Sequence, residues 1–254
     1  MRVLSNQLVR ASLRGRPSSR IRCVPSERGA PTEGRPYKLS AVLACLLTAS
    51  AGALAAQQPD LNGLIDGLQH KYSRLQSLEA DFVQVYYGVD GRTLREAGHL
   101  LLKRPGRARW EYTSPERKLF VSDGRNVFFY VYGDKTATRS SIRETVDPQI
   151  PFLFLLGRGN LRRDFSRIEL ATGESAIGAG NQVLRLFPKR APEQFKQLLV
   201  EVSPATFEVR RMVIFERSGA RMDFLLSNLR ENVVIAESQF HFQPPPGVVV
   251  KQAQ

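Results

Sequence analysis

The sequence predicts a mainly β fold, an antiparallel sheet curled into an unclosed barrel with a helical lid over its mouth. Three observations predict it. One amphipathic helical stretch precedes a long series of short segments with period two. Turn residues separate those segments at spacings too short for crossover helices. A single apolar, Pro-bounded stretch interrupts the series at mid-chain.

Pro59-Asp60 opens the helix, and Leu61, Leu64, Ile65, Leu68, Tyr72, Leu75 and Leu78 recur at three- and four-residue steps. The period then changes to two over Asp81 to Tyr87, Arg95 to Lys103, Arg107 to Thr113, Lys118 to Val121 and Asn126 to Tyr132. Val89-Asp90-Gly91, Arg104-Pro105-Gly106, Ser122-Asp123-Gly124 and Gly133-Asp134 read as the turns between them. Pro148 and Pro151 bracket Phe152-Leu153-Phe154-Leu155-Leu156, a brief helix or a loop plug. Strands resume over Phe165 to Leu170, Gln182 to Phe187, Gln194 to Val202, Thr206 to Phe215 and Arg221 to Arg230. A last strand is expected at Gln239 to Phe242, before Pro244-Pro245-Pro246-Gly247.

The first 55 residues stand apart. Of the formal charge of +13 on 254 residues, +7 lies in residues 1–38, which hold eight Arg and one Lys against two Glu. The remainder is a mildly basic domain with interspersed charges, which removes most support for nucleic-acid binding. Lys38 precedes the apolar run Leu39 to Leu47 and a small-residue run to Ala56, with no charge from 39 to 56. Residues 38–55 read as a cleaved signal peptide, with Ala53-Leu54-Ala55 as the cleavage pattern and Ala51-Gly52-Ala53 as its alternative. An uncleaved anchor would need about 20 apolar residues, and this stretch thins into Gly, Ser and Ala. Residues 1–37 are long for a charged leader and read as a mobile Arg-rich tail or as a start placed too far upstream. Cys23 and Cys45 both fall before the cleavage site, so the mature domain, 56–254, carries no thiol. Val42-Leu43-Ala44-Cys45 loosely resembles a lipid-attachment site, but the apolar run continues past the cysteine, where such a site should end it.

Catalytic and metal-binding signatures are sparse. His70, His99 and His241 have no second ligand at metal spacing, and structural histidines account for them. There is no G-x-S-x-G elbow, phosphate loop or dinucleotide fingerprint. Glu79, Asp81 and Glu96 are scattered, and the sequence leaves open whether any carboxylates converge. An enzyme is therefore disfavoured, although a barrel can assemble a site that spacing does not reveal. Apolar residues are abundant on alternating positions: Leu100 with Leu102; Ala108, Trp110 and Tyr112; Val127, Phe129 and Val131, opposite Phe128, Tyr130 and Tyr132. Parity alone fits equally an apolar cavity and a small barrel filled by its own side chains.

Several segments in common order resemble the outer-membrane lipoprotein carrier family, LolA. They are Leu78-Glu79-Ala80-Asp81-Phe82-Val83-Gln84 after the helix, the Gly98-centred strand, and Leu102-Lys103-Arg104-Pro105-Gly106-Arg107-Ala108-Arg109-Trp110-Glu111-Tyr112. Ser114-Pro115, Val121-Ser122-Asp123-Gly124, Phe128-Phe129-Tyr130, the Pro151 to Leu156 run and Phe240-His241-Phe242-Gln243-Pro244-Pro245 follow. The likeness spans about residues 58–250. It implies a monomeric periplasmic carrier of acylated lipoproteins, a non-enzyme without cofactor or metal, that binds their acyl chains in an apolar cavity under the lid. Its implied partners are an ATP-driven lipoprotein-releasing complex of the inner membrane and a lipoprotein receptor at the outer membrane.

By matching position, Phe82, Trp110, Phe120, Phe152 and Leu155 are implied to line the cavity or lid, and parity adds Leu78, Leu100, Leu102 and Tyr112. Arg104 stands where the family's arginine bonds the lid and holds the empty cavity shut. A guanidinium fork suits several carbonyls at once. Ala108 departs from the pattern, replacing a position often bulky and aromatic, and Val131-Tyr132-Gly133 departs after the aromatic strand. Other classes remain in view: a lipid-anchored receptor or sensor of this fold, a carrier of other lipids, and a hydrolase with a hidden carboxylate pair.

Overall fold

The computed structural model describes residues 60–141, 159–189 and 195–253. The signal peptide, the leader and the Pro148 to Leu156 segment lie outside the described residues.

Helix α1, Leu61–Arg74, starts where the Asp60 side chain accepts a hydrogen bond from the Gly63 N–H at 2.7 Å. Lys71 and Arg74 in the last turn oppose the negative end of its dipole. The expected stripe Leu64, Ile65, Leu68 and Tyr72 is its buried face. The helix stops earlier than the stripe suggested. Leu75 is already extended, and the Gln76 N–H is taken by the Asn232 carboxamide at 2.9 Å. Leu78 therefore belongs to the first strand: its three-residue spacing from Leu75 is a coincidence between the end of one period and the start of the next.

Twelve strands form one sheet: β1 Ser77–Tyr87, β2 Thr93–Lys103, β3 Arg107–Ser114, β4 Lys118–Asp123, β5 Asn126–Val131, β6 Thr136–Ser141, β7 Phe165–Leu170, β8 Gln182–Pro188, β9 Phe195–Val202, β10 Val209–Glu216, β11 Arg221–Glu231 and β12 Val249–Gln252. A short helix, α2 Leu161–Asp164, leads into β7. The spatial order is β12-β6-β5-β4-β3-β2-β1-β11-β10-β9-β8-β7. All pairs are antiparallel except β12 on β6, and the sheet does not close, leaving β12 and β7 as edges. The fold is thus the unclosed antiparallel barrel that the sequence predicts.

Three local expectations are corrected. Gln239 to Phe242 is not a strand: Glu237–Phe240 is a 3-10 turn in which Gln239 N–H and His241 N–H bond to Ala236 O and Ser238 O. Two strands had no pattern to reveal them. β6 reads Thr-Ala-Thr-Arg-Ser-Ser, with no large apolar residue to alternate, and β12 is exposed throughout. Strand β10 starts at Val209 rather than Thr206 because Phe207, at φ 55°, turns back to bond the Ser203 carbonyl at 2.8 Å.

The convex side is covered twice. After β11 the chain crosses β2 to β5 as a strap. Lys103 Nζ donates to Ile235 O at 2.7 Å and to Glu237 at 2.6 Å, and Arg107 pairs with Glu237 at 2.8 Å. Phe240 is buried, and Phe242 stacks on Phe128 with ring centroids 5.3 Å apart. On the other half, the β7–β8 connection docks over Val183, Leu199 and Val213. Its anchor is the buried Glu201 carboxylate, which accepts from Ile177 N–H, Gly178 N–H and the Asn181 amide, with Arg211 alongside. Burial alone would raise the Glu201 pKa; these donors outweigh it and hold the carboxyl below its ordinary range.

The main core lies on the concave side, between α1 and both halves of the sheet. It unites Leu64, Ile65, Leu68 and Tyr72 with Phe82, Leu100, Trp110, Leu186, Leu198, Met212 and Phe224. Full burial of each large apolar side chain contributes roughly 1.5–3 kcal/mol.

Candidate functional site

Strand register sorts the concave face of β1 to β5 into tiers. Side chains that share parity on paired strands stand side by side. The lowest tier runs Leu78–Leu102–Ala108–Ser122–Val127. Above it come Ala80–Leu100–Trp110–Phe120–Phe129, then Phe82–Gly98–Tyr112–Lys118–Val131. Two aromatic pairs mark the upper tiers. Trp110 and Phe120 meet edge to face at 6.1 Å, and Phe82 and Tyr112 at 5.0 Å. The second pair spans Gly98, whose missing side chain lets rings from β1 and β3 touch over β2.

Seven of the residues singled out from the sequence thus share one surface: Leu78, Phe82, Leu100, Leu102, Trp110, Tyr112 and Phe120. Phe152 and Leu155 lie outside the described residues. Ala108 is buried opposite Ser122, whose hydroxyl donates to Gly106 O at 2.9 Å, so the lowest tier is narrow where a bulky ring would widen its contacts.

Arg104 sits at the β2–β3 turn, beneath the C-terminal end of α1. Its Nη2 donates to Tyr72 O at 2.6 Å, serving a carbonyl that the helix itself leaves unpaired. Its Nε is buried without a hydrogen-bond partner. The same Tyr72 binds the opposite half of the sheet, because Val209 N–H donates to its hydroxyl at 3.0 Å. Burial pushes the Tyr72 hydroxyl pKa up, so it stays protonated. One helical residue therefore ties α1 to β10 and to the turn after β2. The sequence signalled Tyr72 only as one of seven stripe positions.

The other feature missed from the sequence is polar. Glu96, on the concave parity of β2, meets Lys118 of β4 in a buried ion pair. Gln84, opposite Glu96 in register, accepts from the Tyr112 hydroxyl at 2.9 Å. Burial, with the Glu96 carboxylate added, pushes the Tyr112 pKa up. No pattern of spacing announces such a convergence from three strand pairs. On the opposite face His99 pairs with Asp81, whose carboxyl is held below its ordinary pKa chiefly by the Asn228 amide. Among the described residues, no group of three or more His, Cys, Asp or Glu could hold a metal ion. No helix among them is long and apolar enough to cross a membrane.

The sequence profile described as "Outer membrane lipoprotein carrier protein LolA" matches residues 73–243, the stretch from the end of α1 through the strap. The chain belongs to the LolA family. Relatives named outer-membrane lipoprotein carrier protein include that of Methylococcus capsulatus, 31% identical over 69% of this chain and 81% of its own length. That of Bordetella avium is 29% identical, over 84% of this chain and 97% of its own. That of Yersinia pestis is 30% identical, over 82% and 96% respectively. The LolA match includes the tiered face, the Arg104 turn and the 3-10 turn, but not the first twelve residues of α1.

Proposed function

We propose that this LolA-family protein is a periplasmic carrier that takes the acyl chains of lipoproteins onto its concave face, beneath α1. It receives them from an ATP-driven complex in the inner membrane and passes them to a receptor at the outer membrane, without bond-making chemistry. The observation that carries this is the apolar lower part of the tiered face, covered by a helix that Tyr72 ties to β10 and to the Arg104 turn, with Lys71 paired to Glu231 beside it. Each methylene taken out of water contributes about 0.8 kcal/mol, so acyl chains do not cross an aqueous gap unaided. A carrier must bury them and still let go. A helix that repacks on the same face when cargo leaves meets both needs, because closure recovers apolar burial and competes with retention. Arg104 acts in this scheme as the latch of the closed state. The relatives' name, lipoprotein carrier, agrees with the reading.

The sole tryptophan of the chain is Trp110, in the middle tier, which supplies a direct test. Titrating the mature domain with a synthetic triacylated lipopeptide is expected to shift Trp110 emission saturably, whereas the same peptide without acyl chains leaves it unchanged. Identical responses to both peptides, or none to either, would refute acyl-chain binding at this face.

A further inference from the structure

The concave face changes character toward the hairpin tips. Below, its tiers are almost entirely hydrocarbon. Above, four polar side chains from four consecutive strands converge: Gln84 on β1, Glu96 on β2, Tyr112 on β3 and Lys118 on β4. They are 4%, 2%, 3% and 0% exposed, so none is a solvated rim group. Lys118 Nζ pairs with Glu96 and lies 4.7 Å from the centre of the Tyr112 ring. The Gln84 amide reaches Glu96 at 3.4 Å.

Fold stability does not call for this arrangement. A buried ion pair is commonly neutral or unfavourable beside apolar residues of the same size. Register is already set by the apolar tiers below it. The row stands at the hairpin-tip end of the apolar tiers, where the face changes from hydrocarbon to polar groups. Ester and amide carbonyls taken out of water need donors, and a buried ammonium and a phenolic hydroxyl are strong ones.

We propose that the Gln84–Glu96–Tyr112–Lys118 row is a polar subsite for the ester and amide carbonyls at the head of the acyl chains, setting how deep a cargo lipid enters. This rests on the carrier reading above and adds to it the part of the lipid that is read. Within the protein the four groups are linked by the Lys118–Glu96 ion pair, the Tyr112–Gln84 hydrogen bond and the Gln84–Glu96 contact. With cargo bound, the Lys118 ammonium and the Tyr112 hydroxyl turn toward the carbonyls, while Glu96 and Gln84 keep the ammonium oriented.

Calorimetric titration with two lipids of equal chain length tests it: a diacylglyceryl lipopeptide and its dialkyl ether analogue, which lacks the ester carbonyls. The wild-type protein is expected to bind the ester form about tenfold more tightly. The Lys118→Met/Glu96→Gln double variant, which removes both charges together, is expected to lose that preference, the ratio of its two affinities falling to about one. Tyr112→Phe, which removes one hydroxyl and keeps the ring against Phe82, is expected to reduce the preference. Equal wild-type affinity for the two lipids, or an undiminished preference in both variants, overturns the subsite and leaves the carrier reading standing. Failure of the wild type to bind either lipid overturns the carrier reading itself, and the subsite with it.

Discussion

Replacing Gly98 by valine is expected to remove a large share of the stability of the domain. A Cβ at this position would lie 2.0 Å from Glu111 O, 2.8 Å from Glu111 C and 2.9 Å from Tyr112 Cα. All three are main-chain atoms of β3, so no side-chain rotation relieves the overlap. The site adjoins a register shift: Ala97 pairs with Ser114 but Gly98 pairs with Tyr112, so Thr113 is extra on β3 and bends it inward. To admit valine, β3 must move away from β2, which separates the Phe82 and Tyr112 rings that now meet over the glycine. Overpacking of this kind costs about 1–3 kcal/mol and a lost ring pair about 0.5–1.5 kcal/mol more. A total of about 4 kcal/mol is a large share of a typical domain's 5–15 kcal/mol. The denaturation midpoint of the mature domain checks it, with Gly98→Ala expected in between. An unaltered midpoint for the valine variant would mean that the close approach of β2 and β3 is not as described.

Arg104→Leu is the second large effect, and it falls on transfer rather than folding. Leucine keeps apolar volume at the turn but removes the donor to Tyr72 O. A bond from a charged group contributes about 1.5–3 kcal/mol, and the unpartnered Nε offsets part of it. In the proposed scheme this bond is the part of the closed state's stability that Arg104 supplies, beside the apolar packing of α1 and the Lys71–Glu231 pair. Without the latch the open, loaded state is favoured. Loading is expected to be at least as efficient as in the wild type, while delivery to an acceptor membrane bearing the receptor slows by about tenfold or more. Transfer at the wild-type rate in a reconstituted system would remove Arg104 from the gating scheme.

How much of this was readable beforehand follows from the kinds of signal involved. Strands β1 to β5 were legible because β-rich runs, alternating most clearly in β3 and apolar on both faces in β5, lie between Gly- or Pro-bearing turns, and their parity already placed Leu100 with Leu102 and Trp110 with Tyr112. Strand β6 was not, since Thr, Ala and Ser give no contrast between faces. The strap misled for the opposite reason: Phe240 and Phe242 alternate like a strand, but they pack on the outside of the sheet rather than within it. Arg104 was found by likeness of motif, yet its partner, a backbone carbonyl of Tyr72, has no residue-type signature. The Glu96–Lys118 pair joins residues 22 apart on non-adjacent strands, and its existence depends on a curl that the sequence implies only in outline.

In the proposed carrier, hydrocarbon tails travel on the tiered face between β1 to β5 and α1. Isolating the protein from cells making it and weighing the intact complexes by native mass spectrometry is the test. A population carrying triacylated protein, lost when Trp110 and Phe120 are together replaced by serine, is the predicted result. Protein recovered only in its empty form, from cells with lipoprotein release at full rate, would contradict it.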